Sequence, residues 1–192
     1  METVDIWLAD LTGVEPSTAE LSDDERARAE RMRLDEPRRR FVASHQALRA
    51  VLSCYVDDVE LAVDDNGKPY LTDGDIRFNL SHSGELAAVA VADQEVGIDV
   101  QEVRELHDAA ALARRILAPA EAGSDLLRAW ARKEAVVKAT GEGLRRSLAE
   151  VQVFPPAGPW WVEDLDVPDG YVGAVAGLGP RPRIDIRRWC WE

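Results

Sequence analysis

The chain has 192 residues and a mass of 21.2 kDa, enough for one sizeable core or for two small subdomains that share an interface. Apolar residues make up 46% of the sequence, and no apolar run reaches the roughly 18 residues of a membrane-spanning helix. The net charge of −13 argues against a general binder of nucleic acids or of membrane surfaces.

The start of the chain, Met1–Asp5, lacks the positive segment and the apolar stretch of a signal peptide. Cys54 and Cys190 have neither the spacing of a metal site nor that of a redox site. We therefore expect a cytoplasmic protein with two reduced thiols.

The first half of the chain predicts a strand, two helices and four further strands. Val4–Leu8 alternates apolar and polar residues, as a strand does. Ser22–Glu25 has the form of a capping box and should start a helix that runs to about Leu34, and Pro37 fits the first turn of the next helix. The later strands are expected near Val59–Val63 and over Ile76–Leu80, Leu86–Ala92 and Val96–Val100.

The second half predicts two helices and four strands. One helix should run from about Leu106 to Leu117, and Ser124 can cap a longer one that ends near Thr140, before Gly141. The strands are expected at Val151–Phe154, Trp160–Val162, Tyr171–Ala176 and Arg183–Ile186.

This order of elements predicts an α+β fold in one compact unit. Two α/β halves, residues 1–102 and 103–192, should meet near residues 101–105. The halves show no convincing sequence repeat, and no low-complexity linker separates them.

A single acid interrupts the apolar strand Gly97–Val100. Side chains alternate along a strand, so Asp99 and Gln101 face away from Val96, Ile98 and Val100. An Asp there is costly unless it is paired, hydrogen-bonded or bound to a metal. Metal binding or catalysis is one interpretation, and a strand-end Asp that accepts backbone hydrogen bonds is the other.

The segment Trp130–Lys138 predicts a helix with Trp130, Glu134 and Lys138 on one side, four residues apart. Glu134 and Lys138 could form a surface pair worth only about 0.3–0.5 kcal/mol, with Trp130 as a core anchor. Lysine is scarce, however: of 23 basic residues only Lys68, Lys133 and Lys138 are lysines. This scarcity indicates positions where a compact ammonium group matters.

The stretch Phe78–Gly84 places Ser81, His82 and Ser83 at the end of a strand. Serine hydrolase chemistry does not fit this group, because neighbouring strand residues face opposite ways and the sequence has no G-x-S-x-G elbow. His82 suits a phosphate or pyrophosphate ligand better. The arginines between Arg26 and Arg49 form either a solvated helix face or a further contact to a phosphate or to an acidic partner.

Four short motifs in order give the chain a resemblance to a known family: Gly67-Lys68-Pro69, Phe78-Asn79-Leu80-Ser81-His82-Ser83-Gly84, Gly97-Ile98-Asp99-Val100 and Trp130-x-x-Lys133-Glu134-Ala135-x-x-Lys138. The chain resembles the 4′-phosphopantetheinyl transferases of the larger, surfactin-type class. The resemblance implies a monomer of two similar α/β halves in a pseudo-two-fold arrangement, with the active site between them. The last motif is similar to that of the subgroup associated with polyketide and nonribosomal peptide biosynthesis.

The resemblance implies that Mg²⁺ and coenzyme A bind between the halves. The 4′-phosphopantetheine of coenzyme A then passes to a serine of an apo acyl or peptidyl carrier protein, and adenosine 3′,5′-bisphosphate leaves. By the same resemblance Asp99 and Glu134 hold the metal, Glu134 is also the general base, and Lys138 holds the pyrophosphate.

For coenzyme A, the resemblance implies contacts from Ser81 and His82 to phosphates, and from Lys68 to the nucleotide end. Gln101 departs from the family, in which many members have Glu at this position. We expect a neutral metal ligand there, or a water in its place, and weaker Mg²⁺ binding without loss of activity. The match to an arginine that contacts the coenzyme in some relatives falls on His45 or Gln46, with Arg49 one turn on.

Two other functions stay open at the level of the sequence. A Mg²⁺-dependent hydrolase of coenzyme A would use the same ligands without a protein acceptor. A non-catalytic homologue that only binds carrier proteins would fit the loss of an acid at Gln101.

Overall fold

The computed structural model describes residues 3–143 and 147–191 and has the mixed α+β fold that the sequence predicts. The helices are α1 (Asp23–Glu30), α2 (Asp35–Leu52), α3 (Ala109–Ile116) and α4 (Leu126–Thr140). The strands are β1 (Thr3–Asp10), β2 (Leu61–Val63), β3 (Pro69–Leu71), β4 (Arg77–Ser83), β5 (Leu86–Ala92), β6 (Val96–Glu102), β7 (Gln152–Val153), β8 (Pro156–Ala157), β9 (Trp160–Asp164), β10 (Tyr171–Leu178) and β11 (Arg183–Trp189).

The first sheet has the strand order β11-β1-β5-β4. Its central strand β5 is buried along its whole length, which explains the continuous apolar run over 86–92. Strand β1 pairs antiparallel with β5 and parallel with β11, so the last strand of the chain lies beside the first. Helix α2 packs against β4 and β5 through an apolar side that includes Leu48, Val51 and Leu52.

The second sheet has the order β6-β10-β9, and α4 packs against β6 and β10. A core of alanines and valines fills this contact, since small side chains let the helix lie close to the sheet. A second core, with Ile98 and Val100 of β6 and Val4 and Ile6 of β1, joins the two sheets.

Gly97 shows how closely α4 approaches β6. A Cβ atom at this position would lie 2.1 Å from the carbonyl oxygen of Ala135 and 2.4 Å from the amide nitrogen of Ala139. Both contacts are with helix backbone, which cannot move aside as a flexible side chain can. Only glycine fits here, and the contact brings the acid-bearing strand against the helix that carries Glu134.

Two predicted helix ends needed correction and one was confirmed. The capping box of Ser22 and Glu25 is present, but α1 ends at Glu30 and not near Leu34. The cap of α4 is Asp125, whose side chain accepts a hydrogen bond from the amide of Arg128, and not Ser124. Helix α4 does end at Gly141, which adopts the left-handed conformation (φ 70°) typical of a C-cap glycine.

The strands also differ in extent and partnership. The short strand β8 was not predicted, because two residues carry too little periodicity. The sheets do not divide at residue 102: β6 joins β10 in the second sheet, and β11 joins β1 in the first. No helix in the described part of the chain is both long and apolar enough to span a membrane.

Candidate active site

Asp99 lies at the junction of the two sheets and α4, and only 3% of its surface is exposed. Its Oδ1 accepts hydrogen bonds from the Ser81 hydroxyl (2.8 Å) and from Lys138 Nζ (2.7 Å), and its Oδ2 accepts one from Gln101 Nε2 (2.7 Å). All three contacts are made by side chains, so the alternative of a strand-end Asp held by backbone amides does not describe this residue. Strands β4 and β6 and helix α4 thus each contribute a group that fixes the carboxylate.

Glu134 is half-buried on α4, one turn before Lys138. Burial raises the pKa of its carboxyl group above the ordinary value, and the negative charge of Asp99 raises it further. The ammonium group of Lys138 acts in the opposite direction but does not cancel the other two effects. The Asp99 charge therefore disfavours ionisation of Glu134, and a cation bound near both carboxylates would relieve this repulsion.

The predicted shared face of α4 is present. Trp130, Glu134 and Lys138 line one cavity of about 670 Å³. Leu112 and Ile116 of α3 line the same cavity. Trp130 is half-buried at the wall of this cavity, so it is not a fully enclosed core anchor. The cavity gives a ligand direct access to both Glu134 and Lys138.

The donor set suits a Mg²⁺ ion. Mg²⁺ prefers hard oxygen ligands and is usually held by one or two carboxylates together with phosphates and waters. Asp99 and Glu134 supply two carboxylates, and Gln101 supplies an amide next to them. Within residues 3–143 and 147–191, no three His, Cys, Asp or Glu side chains gather into a metal site, so a ligand's phosphates would have to complete the coordination.

A cluster of cationic groups surrounds His82 on the exposed side of β4. Its pKa is lowered to about 4, first because the protein around the ring removes water, and then because His45, Lys138, Arg28 and Arg40 add positive charge. His82 remains accessible at the protein surface. A neutral His82 among these cations is a suitable hydrogen-bond donor for a phosphate.

His45 and Arg49 lie one helical turn apart on α2. The Nδ1 atom of His45 is 2.9 Å from the carbonyl oxygen of Phe41, and burial lowers the pKa of the ring. The guanidinium of Arg49 donates to Glu25 (2.7 Å) and to the carbonyl of Val59 (3.2 Å). These contacts tie α1, and the loop that follows α2, to α2. A role for Arg49 at coenzyme A stays a prediction.

Lys68 lies apart from Asp99, at the β2–β3 turn. Its Nζ is 2.8 Å from a carboxylate oxygen of Glu95, and it lines a separate cavity of about 580 Å³ with residues of that turn and of the C-terminal end of α4. The Asn66 side chain donates to the carbonyl of Gly141, which links the turn to that helix end.

Lys133, the third lysine, faces away from the site and is fully buried. Its Nζ is 2.6 Å from Glu121 and donates to the carbonyls of Leu148 and Val151. Burial would raise the pKa of Glu121, but hydrogen bonds from Lys133 and from backbone amides outweigh it and keep that pKa low. Lys133 therefore holds the segment before β7 against α4.

The arginine run on α2 has mixed roles. Arg38 pairs with Asp35 at the surface, whereas Arg39 and Arg40 both bind Glu85 at 2.6 Å. Arg28 and Arg40 belong to the group between Arg26 and Arg49 for which the sequence left open a solvated face or a phosphate contact, and both contribute charge at His82. Their separation from His82 along the chain leaves no local signal by which to select them.

Comparisons with known proteins point to one family. A sequence model of the 4′-phosphopantetheinyl transferase superfamily matches residues 95–166, which include β6 and α4. The 4′-phosphopantetheinyl transferase HetI of Nostoc sp. (strain PCC 7120) is 36% identical over 199 residues, covering 86% of this chain and 83% of the relative. The 4′-phosphopantetheinyl transferase Sfp of Bacillus subtilis (strain 168) is 25% identical over 201 residues, covering 90% and 88%. The 4′-phosphopantetheinyl transferase psf-1 of Bacillus pumilus is 31% identical over 146 residues, covering 67% and 61%.

Proposed function

The chain belongs to the 4′-phosphopantetheinyl transferase superfamily, which includes the Sfp-type enzymes, and we propose that it transfers 4′-phosphopantetheine from coenzyme A to a serine of an apo carrier protein in a Mg²⁺-dependent reaction. Adenosine 3′,5′-bisphosphate is the proposed second product. The family acts on carrier proteins with coenzyme A; the metal, the product and the residue roles are our assignment.

One observation carries the proposal: two acids and a lysine from different elements converge at one point. Asp99 comes from β6, and Glu134 and Lys138 come from α4; the Asp99 charge acts on Glu134, while Lys138 binds Asp99 directly. Phosphoryl transfer needs positioning and charge neutralisation more than it needs covalent chemistry by the protein. Two carboxylates, an ammonium group and a cationic cluster at His82 meet both needs.

In the proposed reaction the hydroxyl oxygen of the carrier serine attacks the β-phosphorus of coenzyme A. A new P–O bond forms, the bond from that phosphorus to the bridging oxygen breaks, and adenosine 3′,5′-bisphosphate leaves with the bonding electrons. Glu134 accepts the serine proton. In the metal-free protein, burial and the Asp99 charge raise its pKa above the ordinary value.

Asp99 and Glu134 would hold Mg²⁺, with Gln101 as a neutral oxygen ligand or in contact with a bound water. When bound, the ion supplies positive charge to the phosphate oxygens and lowers their repulsion toward the incoming hydroxyl. Lys138 has three N–H donors, of which two bind the Ile98 carbonyl and Asp99. The third is available to the pyrophosphate.

For the 3′-phosphate of coenzyme A we propose His82, with charge support from Arg28 and Arg40. His45, whose pKa is lowered by burial, would contribute an uncharged ring. Lys68 is assigned to the nucleotide end of the coenzyme, which requires exchange of its partner Glu95 for the ligand.

The compartment, the oligomeric state and the acceptor class are further parts of the proposal. We infer a cytoplasmic monomer of two similar α/β halves, residues 1–102 and 103–192, in a pseudo-two-fold arrangement with the site between them, in which β6 of the first half joins the second sheet and β11 of the second half joins the first. The natural acceptors are taken to be carrier proteins of polyketide or nonribosomal peptide biosynthesis, on the basis of the motif from Trp130 to Lys138.

The test is intact-protein mass spectrometry of apo carrier proteins after incubation with the full chain, coenzyme A and Mg²⁺. A panel drawn from polyketide, nonribosomal peptide and fatty-acid synthesis would define the acceptor class, and each carrier with its serine changed to alanine serves as the control. We expect one phosphopantetheine on the serine of at least one carrier, and none when Mg²⁺ is removed by a chelator. Loss of coenzyme A without any carrier would instead indicate a hydrolase, and binding of carriers without modification would indicate a non-catalytic homologue.

A further inference from the structure

Glu95, in the turn before β6, holds two cationic side chains at the wall of the cavity that Lys68 lines. One of its carboxylate oxygens is 2.8 Å from Lys68 Nζ, and the other is 3.2 Å from Arg77 Nε. Arg77 is the first residue of β4 and Lys68 directly precedes β3, so the carboxylate joins two separate elements. All three residues line the same cavity. Two cations of the cavity wall are therefore already paired with an anion of the chain.

The Lys68–Glu95 contact is accessible to water, unlike the ion pairs of the other two lysines. The Glu95 side chain is 45% exposed and that of Lys68 is 17% exposed. Lys133 and its acidic partner are fully enclosed, and Lys138 binds the buried carboxylate of Asp99. Water and salt weaken ion pairs at a surface, and such pairs contribute little to stability. Of these three ion pairs, that of Lys68 is the one most easily exchanged for a ligand.

Hydrogen bonds fix the backbone around Lys68. The Asp64 carboxylate accepts the amide hydrogens of Asn66 and of Lys68 itself, both at 2.8 Å. The Asp64 amide donates to the Lys68 carbonyl (3.0 Å), and the Asn66 side chain ties the turn to Gly141 at the end of α4. A change of partner at Lys68 therefore needs a rotation of side chains and no rearrangement of the turn.

The charge of Glu95 determines how this exchange affects binding. An anionic ligand that reaches Lys68 must displace the Glu95 carboxylate and then lie near it, and like charges at short range repel each other. Removing the charge of Glu95 would free Lys68 and Arg77 from this partner and would also remove the repulsion. Adenosine 3′,5′-bisphosphate has the same nucleotide end as coenzyme A, so the competition applies to both ligands.

We propose that Glu95 is an internal competitor: it occupies Lys68 in the coenzyme-free protein and weakens the binding of coenzyme A and of its nucleotide product. The inference rests on the proposed function, because Lys68 is assigned there to the nucleotide end of the coenzyme. Weaker binding of the product favours its release after transfer, since the Glu95 carboxylate regains Lys68 as the nucleotide leaves.

The test compares Glu95→Gln with Glu163→Gln in the full chain. Glu163 on β9 is a matched control, because its side chain is 36% exposed and also pairs with an arginine, Arg181 (3.1 Å). Calorimetry in the presence of a chelator measures the binding of coenzyme A and of adenosine 3′,5′-bisphosphate. We expect Glu95→Gln to bind both ligands about 3- to 10-fold more tightly, which lies within the combined range of two surface ion pairs. Glu163→Gln should leave both affinities within about twofold of the parent protein.

A second comparison tests whether the effect acts through Lys68. Lys68→Met removes the cation and should weaken the binding of both ligands. Glu95→Gln is then added to Lys68→Met, which completes a double-mutant cycle. We expect the added change to tighten binding by a smaller factor than it does in the parent protein, because the competition needs the cation.

Unchanged or weaker binding in Glu95→Gln would overturn the proposal, and weaker binding would make Glu95 a residue that positions Lys68 for the ligand. An equal gain in Glu163→Gln would overturn it by attributing the effect to net charge. An equal gain in the Lys68→Met background would overturn it as well, because the competition would then not concern Lys68. A parent protein that binds neither ligand would instead refute the proposed function itself.

Discussion

At the scale of single residues, Asp99 is held by three side chains that each do something further. Ser81 joins β4 to β6, Lys138 reaches the carbonyl of Ile98, and Gln101 stands where a third acid would make the site more negative. Because Gln101 Nε2 donates to Asp99 Oδ2, the amide stabilises the carboxylate in the metal-free protein. An acid at residue 101 could not do this.

The change Gln101→Glu therefore has two opposite effects. Without metal we expect the free energy of unfolding to fall by about 1.5–3 kcal/mol, because a hydrogen bond to a charged group is lost and a repulsion is added. With Mg²⁺ we expect tighter binding, seen as a lower Mg²⁺ concentration at half-maximal rate and a larger rise of the melting temperature on adding the ion. An unchanged half-maximal concentration would contradict this, and Gln94→Glu, in the turn before β6, controls for the added charge.

The change Glu134→Gln removes the proposed base and keeps the size of the side chain. We expect kcat for carrier modification to fall by about 10²–10⁴-fold, the range of general base catalysis, while the fold is retained because burial no longer penalises a charge. Mass spectrometry of the carrier in samples quenched at timed intervals measures the rate. The affinity for coenzyme A in the absence of metal should stay unchanged. A rate close to that of the parent protein would contradict a role for Glu134 in the reaction. Glu150→Gln, at an exposed turn, is the control and should leave the rate unchanged.

At the scale of elements, α4 has one side for chemistry and another for structure. Glu134 and Lys138 line the cavity, whereas the neighbouring Lys133 is enclosed with Glu121 beneath the helix. The Glu121 carboxylate also accepts from the amides of Ala118 and Val153, so the pair holds the segments on both sides of α4 in place.

Removing one member of this pair should be severe. We expect Lys133→Met to lower the free energy of unfolding by about 3–5 kcal/mol, since it leaves the Glu121 charge buried without its partner. Adding Glu121→Gln should restore part of that loss, because the neutral amide can still accept from the backbone. Chemical denaturation of the two single variants and of the double variant measures the coupling energy between Lys133 and Glu121. Losses of stability that simply add in the double variant would contradict this coupling. Arg128→Met, which removes an exposed partner of Asp164, should cost no more than about 1 kcal/mol.

Most elements, and the residues at the centre of the site, could be predicted from the sequence. Continuous or alternating apolar runs located β5 and β6, and the spacing of Trp130, Glu134 and Lys138 predicted their shared face. The task of Lys133 could not be predicted, because its partner Glu121 lies in a short turn with no periodic signal. Nor could the pairing of β11 with β1, which depends on contacts between the two ends of the chain.

Asn79, Ser81 and Ser83 did leave a signal. Three polar residues at every second position of β4, alternating with Phe78, Leu80 and His82, indicate a polar partner on one face. The identity of that partner, the backbone of β6, follows only from the meeting of the two sheets.

At the scale of the whole molecule, a second polar network ties the ends of the chain to α2. The Tyr55 hydroxyl, just after α2, donates to Asp5 on β1 (2.6 Å), and Arg187 on β11 is 3.0 Å from the other oxygen of Asp5. The indole of Trp7 donates to Tyr55, and the Arg187 guanidinium lies 5.2 Å from the centre of its ring. Burial, and then the hydrogen bond to Asp5, raise the pKa of Tyr55 to about 12.

This shift predicts a dependence of stability on alkaline pH. A group whose pKa is higher in the folded state stabilises fully below its unfolded pKa, near 10, and loses that contribution as the pH rises toward 12. Tyr55→Phe should therefore cost about 1.5–3 kcal/mol at pH 8 and progressively less between pH 10 and 12. Denaturation at a series of pH values measures the difference, and the exposed Tyr70→Phe should show none. A cost that is constant up to pH 12 would contradict the assignment.

The parallel pairing of β1 with β11 also bears on how the protein is made. The paired residues Thr3 and Arg183 are 180 positions apart, so synthesis at 5–20 residues per second separates them by roughly 10–40 s. During that interval one edge of β1 has no partner, although β5 can already occupy the other. Strand β1 therefore waits for β11, and the four-stranded sheet closes only after Arg183–Trp189 has been synthesised.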